Sequence, residues 1–276
     1  MSFSDIEESR FKGRPANLFL IRYGQSPNSY YAYTDATKEV VDDGIVYRPI
    51  SLQRGNIVVK GNMDKAALEV RMSVTLEVAE LFRVYPPSQV VTLTIMQGHL
   101  NDPDGQFMVI WAGKIISAKR ETPELILTCE PVRTSMKRTG LRRNYQFSCP
   151  HVLYGEWCRA DKSAATTSGI VASMSGTKIT MIPGWAARPP EEYLGGTVEW
   201  INNAGDREFR TIIRVATNVL TLSGALRDLI VGQTVYTIRG CSRDMAGCNS
   251  HANIQNFGGC PFIPMKNPVG RVNQFY

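Results

Sequence analysis

The sequence predicts a mainly β protein. It has an N-terminal β-rich domain and a C-terminal domain with a small β-barrel or sandwich inserted between two cysteine pairs. Three observations carry this expectation. Several short runs alternate apolar and polar residues at period two, as half-buried strands require. Dense turn signals separate those runs. Four of the six cysteines form two pairs, one on either side of a β-rich stretch.

The elements follow in chain order. Val70, Met72 and Val74 alternate with Glu69, Arg71 and Ser73, and Val91, Leu93 and Ile95 alternate with Thr92 and Thr94, so both segments read as strands. Phe107 to Ile116 and Leu125 to Cys129 are further apolar runs, set apart from the strand before them by the turn signal Asn101-Asp102-Pro103-Asp104-Gly105. A short helix is expected at Thr75 to Phe82, closed by Pro86-Pro87, and a second near Ser135 to Thr139. Beyond Cys158 and the stretch DKSAATTSG, Ile170 to Met174 and Ile179 to Ile182 flank Ser175-Gly176, a hairpin signal. Thr197 to Ile201, Phe209 to Val215, Val219 to Leu222 and Thr234 to Ile238 complete a five- or six-strand barrel or sandwich. From Gly240 onward the chain is rich in Gly, Asn, Pro and Cys without periodicity, so something other than a sheet must hold it. The expected division is therefore 1–145 for the β-rich domain and 146–276 for the cysteine-bearing one, with the β-insertion at about 165–239.

Composition sets limits on function. A 276-residue chain with 43% hydrophobic and 20% charged residues has the make-up of a folded globular protein. No run approaches the roughly 18 apolar residues of a membrane-spanning helix, so no membrane segment is expected. The start MSFSDIEESRF is acidic and lacks an apolar segment, so no secretory signal is expected there. The net charge of +6 is local: Arg133, Lys137, Arg138, Arg142 and Arg143 lie within residues 131–150 without an acid among them. One short basic run is weak ground for a nucleic-acid partner, and none is expected.

The cysteines pose the sharpest question. Eight residues separate Cys149 from Cys158 and six separate Cys241 from Cys248. Cys129 follows Leu125, Ile126 and Leu127 in a strand and reads as a small buried hydrophobe. For the paired four, three readings stand side by side. They are unrelated thiols, or zinc ligands at spacings wider than the usual two to four residues, or four thiolates around an iron–sulfur cube. A disulfide is disfavoured in a reducing compartment.

Two segments, LRRNYQFSCPHVLYGEWC (141–158) and GCSRDMAGCNSHANIQNFGGCPFIP (240–264), narrow this choice. They resemble the tail-tip hub proteins of long-tailed bacteriophages, related prophages and gene transfer agents, a family that includes the tail-tip protein of lambda-like phages. The matching residues are Cys149, His151, Leu153-Tyr154-Gly155, Cys158, Gly240-Cys241, Cys248 and Asn256-Phe257-Gly258-Gly259, with Pro261 and Pro264 at the end. Upstream, Trp111-Ala112-Gly113-Lys114, Cys129-Glu130-Pro131 and Gly140-Leu141-Arg142-Arg143 are also similar, so the likeness spans roughly residues 60–270. It implies a [4Fe–4S] cluster on Cys149, Cys158, Cys241 and Cys248, with His151, Tyr154, Trp157 and His251 in supporting positions and Cys260 as a spare thiol. Tyr154 and Trp157, beside Cys158, are expected to shield the cluster from water. The basic run from Arg133 to Arg143 reads either as positive charge near an anionic cluster or as a surface for protein contacts.

The resemblance further implies a structural hub or distal adapter in a siphophage tail tip, a homotrimer within the virion, synthesised and assembled in the host cytoplasm. Its expected partners are the distal tail or tube protein, the tape measure and the central fibre or receptor-binding protein. No catalytic set is visible. His99 reads as a loop residue, and no Gly-x-Ser-x-Gly, His-Glu-x-x-His or phosphate loop occurs. A cytoplasmic redox or iron-sensing protein using the same four cysteines is the alternative, and a basic nucleic-acid module at 133–143 a weaker third.

Overall fold

The computed structural model describes residues 6–9, 11–24, 29–57, 67–83, 87–137, 144–203 and 205–263. The chain divides into two compact units: residues 1–138 with 203–206, and residues 139–202 with 207–276.

The first unit is built on a nine-stranded sheet. Its strands are β1 (Pro15–Tyr23), β2 (Tyr30–Thr34), β3 (Val40–Asp42), β4 (Ile45–Pro49), β5 (Leu52–Arg54), β6 (Leu68–Ser73), β7 (Val91–His99), β8 (Phe107–Glu121) and β9 (Glu124–Pro131). They lie in the order β3-β4-β2-β1-β7-β8-β9-β6-β5, and only β2 and β4 pair in parallel. The alternating runs become β6 and β7, and the two apolar runs become β8 and β9. Five strands precede them, none marked by period-two alternation. The reason is visible in β1, which is buried on both faces. Phe19, Ile21 and Tyr23 enter the larger core with Val70, Leu93, Trp111 and Leu127, while Leu18 and Leu20 pack on the other side with Ala32, Tyr47 and Met96. A strand covered on both sides needs no polar alternation.

The first expected helix is shorter than its pattern. Only α1 (Glu77–Glu80) is α-helical, and it buries Val78 and Ala79. Leu76 stands at the N-cap with no side chain able to bond the free N–H groups, so no signal extends the turn. The second expected helix is a 3-10 segment, Val132–Lys137. Arg138, Arg142 and Arg143 of the basic run, and Pro264, lie outside the described residues. Cys129 in β9 is fully buried, and burial pushes its thiol up to about 12, so it behaves as an apolar core residue. His99 is the last residue of β7 rather than a loop residue; it is buried, with Nε2 2.6 Å from Glu7 Oε2.

The second unit contains a closed six-stranded barrel. It comprises β10 (Thr166–Ser175), β11 (Lys178–Met181), β12 (Thr197–Ile201), β13 (Arg207–Ala216), β14 (Val219–Leu222) and β15 (Thr234–Ile238), in the order β10-β11-β14-β13-β12-β15. Its interior is filled by Val171, Ile179, Val198, Trp200, Ile212, Leu220 and Val235, the inward members of alternating strands. Trp200 is fully buried and its indole N–H donates to the Arg227 carbonyl at 2.8 Å. Register slips at Val171/Ser173 and Ile212/Arg214 bend β10 and β13, as closing so small a barrel requires.

Closure fixes where the chain enters and leaves. Strands β10 and β15 pair antiparallel with Thr166 opposite Ile238, and the Arg239 N–H donates to the Ala165 carbonyl at 3.1 Å. The segment that leaves Cys158 and the segment that reaches Cys241 therefore run side by side.

Candidate functional site: a four-cysteine cavity

Cys149, Cys158, Cys241 and Cys248 all line one small cavity beside the barrel, together with His151, Leu153, Gly195, Arg243 and Asn256. Its volume is about 70 Å³. That is several times the ~10–15 Å³ that houses a single water, so the space suits a multi-atom group. Among the described residues, no group of three or more His, Cys, Asp or Glu side chains is gathered so as to hold one metal ion.

Each wall has a local cause. Cys149 sits in the 147–150 loop, where its N–H donates to the Arg243 carbonyl at 2.8 Å, binding the first cysteine loop to the third. Cys158 ends a tight turn in which the Arg159 N–H reaches the Gly155 carbonyl at 2.9 Å, with Tyr154 and Arg159 both at positive φ. Cys248 lies on α2 (Met245–Ser250). Asp244 caps this helix: its Oδ1 accepts from the Gly247 N–H and the Ser242 hydroxyl, each at 2.6 Å. Those two bonds, the Ser242 one foremost, hold the Asp244 carboxyl below the usual carboxylate range. A Schellman motif ends the helix. Ala252 adopts φ 51, its N–H reaches the Asn249 carbonyl at 2.8 Å, and the Asn253 N–H reaches the Cys248 carbonyl at 3.1 Å.

The sulfurs are surrounded by donors. Cys241 Sγ accepts from the Arg243 N–H at 3.4 Å, and Cys149 Sγ accepts from the Gly258 N–H at 3.4 Å. The Asn253 Nδ2 lies 3.6 Å from Cys158 Sγ. Cys248 is the most buried of the four, and its S–H donates to the Asn253 carbonyl at 3.0 Å. Burial raises its thiol above the ordinary value, and the neighbouring Cys241, Cys149 and Cys158 raise it further. The four sulfurs thus face one cavity, with an N–H donor beside three of them.

Gly258 explains part of the closing motif. A Cβ there would stand 2.4 Å from the His151 ring, so only glycine lets this segment approach the first cysteine loop closely enough to offer its N–H to Cys149. Cys260 does not line the cavity; its N–H donates to the Gln146 carbonyl at 2.8 Å.

The four supporting positions fare differently. His151 is in the cavity wall, with Nδ1 buried and without a hydrogen-bond partner. Tyr154 and His251 both brace the approach to Cys241. The Tyr154 hydroxyl donates to the Arg239 carbonyl at 2.7 Å, the His251 Nε2 bonds the Gly240 carbonyl at 2.8 Å, and the two rings meet edge to face at 5.7 Å. Trp157 is 72% exposed and stands outside the cavity wall, because the 155–158 turn directs its middle residues outward. It does not shield the cysteines. Trp157→Ala is accordingly expected to leave stability within about 0.5 kcal/mol, measured by thermal melting.

Asn253 and Arg243 were not marked by sequence reasoning. Asn253 lies between two motif segments, in a stretch without periodicity, and only its 7% exposure distinguishes it as a buried polar residue.

The fold and the site can now be set beside known proteins. The model of a family described as phage conserved hypothetical protein BR0599 matches residues 191–267, which include Cys241 and Cys248. An uncharacterized protein of Xylella fastidiosa (strain 9a5c) is 24% identical over 188 residues, covering 63% of this chain and 38% of the relative. The chain thus spans under half the length of that curated relative. Among solved structures, a chain from the virion of a native gene transfer agent particle superimposes with a TM-score of 0.79. Its identity is 17%, and the match covers 99% of this chain and 97% of that one. The two share a fold from end to end.

Proposed function

We propose that this protein is a structural, non-enzymatic component of a phage-type tail tip. In this reading it is a hub or distal adapter that joins the tail tube to the central fibre or receptor-binding assembly. The near-complete fold match to a virion chain carries the reading, and the phage-derived family match over the C-terminal cysteines supports it. Its partners are other tail proteins: the distal tail or tube protein, the tape measure and the fibre. It acts as a homotrimer in the virion, assembled in the host cytoplasm. Among the described residues no helix is long and apolar enough to cross a membrane.

Within this role, Cys149, Cys158, Cys241 and Cys248 hold a [4Fe–4S] cluster. The support is the shared cavity, its room for more than a single ion, and the N–H donors aimed at sulfur. When bound, such a cluster supplies four Fe–S bonds whose energy becomes folding energy. The chain's own contribution is to bring the two cysteine segments together through the β10–β15 pair.

Two measurements test this. Protein purified anaerobically is expected to be brown, to absorb broadly near ~400 nm and to carry about four irons per chain. Stoichiometric zinc without iron overturns the cluster. A tagged chain expressed from its own phage or prophage is expected at the tail tip of purified particles; particles lacking it overturn the structural role.

A further inference from the structure

We infer that Asn253 is the positioning residue of the four-cysteine site, a latch that holds the C-terminal cysteine helix against the Cys158 turn. Every polar group of this buried residue is committed there. Its N–H bonds the Cys248 carbonyl at 3.1 Å, and its own carbonyl accepts the Cys248 S–H at 3.0 Å. Its side-chain Nδ2 donates to the Cys158 carbonyl and lies 3.6 Å from Cys158 Sγ.

The orientation of the carboxamide is set by the Cys158 carbonyl, which can only accept and so faces Nδ2; at the other end Asn253 Oδ1 accepts from Nδ2 of Asn256, in the cavity wall, at 2.6 Å. One side chain therefore links a cysteine ahead of the barrel to one beyond it, and no aliphatic or carboxylate residue supplies the same donor. An aspartate would place negative charge against a carbonyl and a sulfur.

The consequence for a bound cluster rests on the proposed function. The latch fixes the spacing of Cys158 and Cys248, and its Nδ2–H stabilises negative charge on the Cys158 sulfur, which raises the reduction potential. A residue that only held the fold would leave the potential of the loaded protein alone.

The test uses the full chain with Asn253→Ala, Asn253→Asp and Asn256→Ala. Iron release to a chelator is expected to accelerate about 10–100-fold in Asn253→Ala. The potential of the cluster that remains is expected to be more negative, and more negative still in Asn253→Asp. Asn256→Ala, which leaves Asn253 in place without its Oδ1 bond, is expected to shift both readouts the same way by less. In protein stripped of metal, alkylation of the buried Cys248 mapped by mass spectrometry is expected to quicken about tenfold in Asn253→Ala as the helix leaves the Cys158 turn, equivalent to one ~1.4 kcal/mol hydrogen bond. Wild-type release rate, potential and alkylation in both Asn253→Ala and Asn256→Ala overturn the inference. Wild-type protein without iron and sulfide overturns the cluster reading instead, and the alkylation rates alone then decide the latch.

Discussion

With the proposed cluster bound, Cys248→Ser is expected to remove most of the iron it would bring and to make the chain beyond Gly240 cleavable by protease, while the barrel and the nine-stranded sheet stay intact. The expectation follows from how little else holds that segment. Between Cys241 and Ile263 the described secondary structure is α2, six residues long, and a 3-10 turn at Ile254–Asn256. A helix that short is far below the ~12–15 residues at which isolated helices become marginal. The buried residues of the stretch are Cys248, Asn253 and Gly258, so it contributes almost no apolar core. A structural metal commonly supplies on the order of 10 kcal/mol of folding energy, and a serine hydroxyl replaces a thiolate ligand poorly. Cys260→Ser is the matched control, since Cys260 lies outside the cavity wall and makes its hydrogen bond through the backbone. Elemental analysis and limited proteolysis read both variants. Unchanged iron and unchanged protection in Cys248→Ser would sink the proposed ligand set.

Gly240→Ala is expected to cost about 3 kcal/mol or more in the second unit and to lower its melting temperature by roughly 10 °C. The cause is space. A Cβ on Gly240 would stand 1.9 Å from the Leu194 carbonyl oxygen and 2.7 Å from the Gly196 nitrogen. Both are backbone atoms in the turn that enters β12, so no side-chain rotation relieves the contact. The Gly240 N–H also donates to the Glu192 carbonyl at 3.0 Å, and its carbonyl receives the His251 ring. Relief of the clash must therefore pull the chain away from both partners, just ahead of Cys241. Differential scanning calorimetry reads the loss, and a melting temperature within a degree or two of wild type would show that this crossing tolerates a side chain.

The two substitutions bear on the same junction from opposite sides. Cys248→Ser removes a proposed ligand beyond the junction; Gly240→Ala disturbs the backbone crossing that leads to it. Buried Arg239 joins them, pairing with Glu192 at 2.6 Å and donating to the Ser250 carbonyl at 3.2 Å, so the end of β15 is tied both to the turn before β12 and to α2.

What was legible in the sequence was local. Val70, Met72, Val91, Leu93 and Ile95 announced β6 and β7 because a strand with one wet face must alternate. Ser175-Gly176 announced the β10–β11 hairpin, where Gly176 adopts φ 61. Leu18 to Ile21 announced nothing specific, since burial on both faces erases the alternation. The helix pattern at Thr75 to Phe82 exceeded the helix, because periodicity without a cap does not set an end. In the site, the cysteines and glycines stood out by type and spacing. Trp157, although adjacent to Cys158, faces solvent, and Asn253, remote from Cys158 in sequence, bonds it.

The sequence by itself determined a mainly β chain, with a barrel-sized β-insertion bracketed by two cysteine pairs, because strand periodicity, turn residues and cysteine spacing are properties of neighbouring residues. Only the tertiary structure decided that the insertion closes as six strands with β10 beside β15, and hence that Cys149 and Cys158 line the same cavity as Cys241 and Cys248. Strand pairing across some seventy residues depends on how a sheet twists and closes, which no local pattern encodes.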